Sequence, residues 1–145
     1  MSRNAINVAK YFLSKTLETD ENITNLKLQK LLYYAQGYHL ALFDDELFQE
    51  EIVAWTHGPV CPKIYHEFKK YGSNIIPYTN IEDFSENFTS EQLDFLDEVY
   101  NVFGQFSAWK LRDMTHEESP WINNKNFNGT ITTDEMSDYF KSRVG

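Results

Sequence analysis

Thr24, Thr89, Ser107 and Thr132 share one setting in this chain: each hydroxyl residue follows a large apolar residue and precedes another by four positions. The pairs are Ile23 and Leu28, Phe88 and Leu93, Phe106 and Leu111, and Ile131 and Met136. A hydroxyl so placed caps the free N–H groups of a first helical turn, and the apolar pair staples the incoming chain to the helix. Gln92 and Glu135 stand three residues after their caps and complete the capping-box pattern. Each cap is worth about 1 kcal/mol. Four of them fix four helix starts and commit the chain to a mostly helical fold.

Apolar spacing fills in the helices. Ile6, Ala9, Leu13 and Leu17 form one stripe, and Leu28, Leu31, Leu32, Ala35, His39 and Leu42 a second, longer one. The acidic run 44–47 reads as a turn, and Ile52–Trp55 as a short β-prone run. Residues 74–79 suggest a further strand, which Pro77 restricts to a sheet edge. Residues 117–131, rich in Asn, read as a long surface loop anchored by Trp121. The expected fold is therefore predominantly α with a small β element, an α+β domain. Five or six helices and a short two- or three-stranded sheet make one unit over residues 1–145.

Composition bounds the function. At 145 residues the chain buries enough surface to fold without disulfides or a metal. Acidic side chains outnumber basic ones, 22 to 13, for a net charge of −9. That sign opposes nucleic acid, whose affinity comes from Lys and Arg displacing counterions, and suits a basic or neutral partner, or simply solubility. Cys61 is the only cysteine, no secretion signal precedes it, and no run reaches the roughly 20 apolar residues of a membrane helix. A cytoplasmic protein is expected, with no membrane and no nucleic-acid partner.

The stretch "VAWTHGPVCPKIYHEFKKYG", residues 53–72, concentrates the chemically interesting side chains. Gly58-Pro59 signals a turn, Pro62 suits the first position of a helix, and Gly72 its end. Ile64, Tyr65, Phe68 and Tyr71 follow helical spacing between them. Cys61 then occupies an N-cap, where the helix dipole favours thiolate, and His57 is a candidate base. No oxyanion-hole motif or orienting acid accompanies them. His57, Cys61, His66 and His116 lack any established metal-ligand spacing. His116 closes the helix begun at Ser107, where the dipole favours its protonated form. Lys27 and Lys30 lie beside Tyr33, Tyr34 and Tyr38, but two lysines on an acidic chain are a poor footprint for nucleic acid. Nothing here demands catalysis, a cofactor or a metal.

Three blocks, residues 26–42, 50–72 and 111–121, together resemble the Panacea domain of SocA-like, phage-associated antitoxins, in family order and spacing. The resemblance implies a non-enzymatic binding protein. It would neutralise a protein toxin encoded by an adjacent gene in a type II toxin–antitoxin system, and could deliver that toxin to a protease as an adaptor. The family-like part begins within the first helix, so autoregulation through DNA is not expected. Trp55, Gly58, Pro59, Pro62, Tyr65, Gly72, His116, Pro120 and Trp121 match the family pattern, whereas Cys61 stands where an aliphatic residue is common. On this reading Gly58, Pro59, Pro62, Tyr65, Phe68, Gly72 and Pro120 serve the structure, and Trp55, His57, Val60, His116 and Trp121 border the partner-binding face. The alternatives are a phage-associated modulator of a host protein and a Cys/His or metal-dependent hydrolase.

Overall fold

The computed structural model describes residues 4–19, 21–77 and 85–144. Its elements are α1 (Ala5–Ser14), α2 (Asn25–Phe43), β1 (Ile52–Trp55), β2 (Gly58–Val60), α3 (Pro62–Phe68), α4 (Ser90–Phe103), α5 (Ala108–Thr115), α6 (Ser119–Ile122), β3 (Thr130–Ile131) and α7 (Thr133–Val144). It is an α+β domain: helices dominate, and one small antiparallel sheet runs in the order β2-β1-β3.

The four expected caps bond as their sequence setting requires. Thr24 accepts from the Lys27 N–H, Ser107 from Lys110, Thr132 from Glu135, and Thr89 forms a full capping box with Gln92. The box expected at Thr132 is not closed from the other side. Glu135 instead turns its carboxylate to the side-chain amides of Asn123 and Asn124, which ties α7 to the segment before it.

Helix α2 is the axis of the molecule. Helices α1, α3, α4, α5 and α7 and strand β2 all pack on it, so it is buried around its circumference rather than along one stripe. Leu42 alone leaves the predicted stripe and faces solvent. The polar residues of α2 tie loops to this axis. Gln36 accepts from the backbone N–H groups of Leu47 and Phe48 and donates to Phe48 O, Lys27 donates to Gly104 O, and Gln29 accepts from the Cys61 N–H. At the first helix the buried face is Ala5, Val8, Ala9, Phe12 and Leu13, shifted from the predicted stripe. Leu17 lies on a 3-10 turn past the helix end and is exposed, because the change of helix type rotates it off the face.

Two β expectations change. Residues 74–77 do not join the sheet; Thr24 and Ile75 form an isolated bridge, while Tyr78 and Thr79 lie outside the described residues. The third strand comes from Thr130–Ile131, inside the stretch read as a loop. That stretch also forms α6 and a 3-10 turn at 125–127, since Pro120 near the start of a helix costs no hydrogen bond.

Candidate functional site

Strands β1 and β2 make a hairpin whose turn is Thr56-His57, with Trp55 paired to Gly58. Gly58 and Pro59, read as the turn, therefore belong to the returning strand. Gly58 adopts φ of +110°, open to glycine alone. A Cβ there would lie 2.7 Å from Lys30 Cε and 2.8 Å from Thr115 Oγ1. The glycine lets the hairpin lie directly on α2 and α5.

Lys30 fills that contact. It is fully buried, and its Nζ donates to Pro59 O at 2.9 Å. Burial, helped by the nearby Arg112 charge, pulls its pKa down to about 7. One helical turn further along the same face, the Tyr33 and Tyr34 hydroxyls donate to the two carboxylate oxygens of Glu118 at 2.9 and 2.8 Å. Burial raises the Glu118 pKa, against the pull of those two bonds. Behind the hairpin, Trp121 Nε1–H donates to Trp55 O at 2.7 Å and the His116 ring stacks on the Trp121 indole, centroids 3.8 Å apart. His116 caps α5 as expected, but burial and the Arg112 and Lys30 charges lower its pKa, outweighing the helix dipole.

In front of the hairpin lies a groove of about 370 Å³. Its walls include Trp55, Val60, Tyr65 and Leu26, with His57 and Trp109 at the mouth. Trp109 is 57% exposed and meets the His57 ring edge-on at 5.5 Å. The Arg112 guanidinium sits 5.2 Å from the Trp109 ring centroid and donates to His57 Nδ1 at 3.2 Å.

These positions weigh on the chemical readings. Cys61 is the N-cap of α3 but makes no side-chain cap bond, and burial pushes its thiol up to about 11, the reverse of what the dipole alone would do. The candidate base, His57, is turned to Arg112. Among the described residues, no three His, Cys, Asp or Glu side chains gather as a metal site. His66 lies against Trp55 and Tyr65 instead. No helix among the described residues is long and apolar enough to cross a membrane.

The comparisons with known proteins bear on the same segments. The family described as "Antitoxin SocA-like, Panacea domain" matches residues 28–122, from the first turn of α2 to the end of α6. The chain belongs to this family. Antitoxin SocA of Caulobacter vibrioides (strain NA1000 / CB15N) is 41% identical over 69 residues, which are 48% of this chain and 37% of that relative. The chain thus matches little more than a third of the relative's length. No solved structure matches it.

Within this Panacea domain the sequence-predicted residues fall into two layers. Trp55, His57 and Val60 line the groove, while Trp121, only 8% exposed, and the half-buried His116 form the clamp behind the hairpin. Pro62 opens α3, Tyr65 packs edge-on against Trp55, and Phe68 packs on the core. Gly72 ends a 3-10 turn at φ +56°, and Pro120 is buried in α6. Trp109, Arg112 and the pairing of Glu118 with Tyr33 and Tyr34 were not among the sequence-predicted features, and Lys30 was weighed only as a nucleic-acid contact. Trp109 had a signal: it stands two residues before the buried Leu111 and so on the opposite, solvent-facing side of a short helix.

Proposed function

We propose that this chain is an antitoxin that neutralises a protein toxin by binding it through the face made of the β1–β2 hairpin and α5. The observation that carries the reading is the exposed Trp109 beside Trp55 and His57, at a groove within the family-matched region. Exposed tryptophan at the mouth of a cleft is the residue type that dominates binding energy at protein interfaces. A standard interface covers roughly 800 Å² on each partner, several times what the groove alone offers. The −9 charge steers a basic toxin surface toward the rest of the face.

A toxin that is itself a protein makes the pair a type II system, with the toxin encoded by an adjacent gene and both partners in the cytoplasm. His116 and Trp121 act on this face from behind, by fixing the hairpin. The high thiol pKa and enclosed setting of Cys61 weigh against the hydrolase alternative.

The test is growth of cells expressing the neighbouring small open reading frame, with and without this chain. Rescue by co-expression supports the antitoxin, and a neighbour that kills despite it removes the reading. Repeating the rescue in cells lacking the major cytoplasmic proteases separates direct neutralisation, where rescue persists, from adaptor-mediated degradation, where it is lost.

A further inference from the structure

The groove beside the hairpin differs electrostatically from the rest of this acidic molecule. Although 22 of the 145 side chains are acidic, none of those among the described residues lines the groove. Four other concavities on the described surface each carry at least one carboxylate: Glu46 in one, Asp134 in another, Glu98 in a third and Glu67 in the fourth. Lys30 forms part of the groove wall, and Arg112 stands at its rim through Trp109 and His57. Among the described residues, Asp113 is the carboxylate in contact with this rim, through one bond from Arg112 Nη1. Nε is spent on His57, and Nη2 has no partner among the described residues, which leaves it to an incoming acceptor.

Shape and backbone limit the occupant. A volume of about 370 Å³ lies at the small end of the roughly 300–1,000 Å³ typical of ligand clefts, enough for one or two side chains rather than a helix. Strand addition at β2 is closed off, because Pro59 lacks an N–H and its carbonyl is taken by Lys30. What remains is an apolar slot with aromatic walls and a cationic rim.

We propose that the groove receives an anchor segment of the protein partner in which an aromatic or long aliphatic side chain stands next to a carboxylate. The apolar side chain enters between Trp55, Val60 and Trp109, and the carboxylate meets Arg112. This rests on the reading of the chain as a toxin-binding protein and adds the chemistry of the bound segment. The net negative charge acts at long range on a basic partner, whereas the groove fixes register at contact, where it disfavours a basic residue.

The probe is a phage-displayed library of random peptides selected on the full chain, with the enriched peptides then resynthesised and titrated by fluorescence anisotropy. Enrichment of Asp or Glu within a few residues of Phe, Trp, Tyr or Leu is expected. Affinity should fall about tenfold or more in Trp109→Ala and in Arg112→Gln, the cost of one good contact. It should also fall with added salt, and stay unchanged in Val102→Ala, an exposed position on α4. Enriched peptides that are basic, or affinities that both groove variants leave intact, overturn the proposal. Circular dichroism of each variant separates lost binding from lost folding.

The cellular assay keeps the two readings apart. If the wild-type chain rescues cells from its neighbour and the Trp109→Ala/Arg112→Gln double variant rescues equally well, the groove proposal fails and the antitoxin reading stands. If the wild type itself does not rescue, the antitoxin reading fails while the peptide titrations still decide the chemistry of the groove.

Discussion

A lysine with no exposed surface, held by the single carbonyl of Pro59, sets the pH behaviour of this fold. The folded chain releases the Lys30 proton near pH 7, against a reference value of 10.5 for the unfolded chain. Between those values the unfolded state holds the extra proton, so stability rises with pH; below about 7 both states are protonated and the full cost of burying the charge remains. From Lys30 we expect the unfolding free energy, measured in urea, to climb between pH 7 and 8.5 by at most about 1.4 kcal/mol per pH unit. Above that range the unfolded thiol and tyrosines ionise first, since Cys61, Tyr33 and Tyr34 are held protonated by burial in the fold, and the slope reverses. Lys30→Met should flatten the climb at little cost at pH 7, because an apolar chain of similar shape removes the buried charge. An identical slope in both proteins would show that another group titrates. Gly58→Ala acts at the same contact and should cost about 2–4 kcal/mol, combining a positive φ with a Cβ driven against Lys30 and Thr115. Thermal unfolding of the variant measures it.

At the scale of elements, the hairpin is secured from behind and α7 from the side. Trp121→Phe keeps a ring against His116 but removes the bond to Trp55 O, with an expected loss of about 1 kcal/mol. Trp121→Ala also empties the space and should cost about 3–5 kcal/mol. Equal losses in the two variants, read by chemical denaturation, would mean that the bond and not the ring secures the hairpin. Helix α7 lies beyond the family-matched residues yet packs along α2, where Phe140 rests on Gly37. A Cβ at Gly37 would sit 2.2 Å from that ring. Gly37→Ala should therefore destabilise the chain by about 1–3 kcal/mol, although alanine is the better helix former by about 1 kcal/mol. Increased hydrogen exchange confined to α7 would locate the damage.

For the whole molecule, the question is whether the chemistry in residues 53–72 is reactive or architectural. Cys61→Ala should leave toxin neutralisation intact and cost about 1 kcal/mol or less in stability, since the thiol is buried among apolar neighbours and bonds to nothing needed at the surface. Loss of rescue by a normally folded Cys61→Ala protein would end the binding-only reading. Trp55, His57 and Val60 were legible as one neighbourhood because they lie within six positions of one hairpin. Their companions Trp109 and Arg112 come from a helix about 50 residues later, and no local pattern joins the two.

Helix starts belong to the sequence here, because a cap involves only the residue, its N3 amide and a flanking apolar pair, all within six positions. The helical class, the short strand at Ile52–Trp55 and the helix opened by Pro62 follow from the same local rules. Residues 74–77 and 117–131 differ from expectation because a strand exists only where a partner lies beside it: Thr130–Ile131 lies along β1, whereas Ile75 meets only Thr24. The burial of Lys27, Gln29, Lys30 and Gln36 was likewise a tertiary outcome. On an isolated helix these side chains are its polar face. Once neighbours close around α2 they lose water, and the backbone groups of Gly104, Cys61, Pro59, Leu47 and Phe48 take its place.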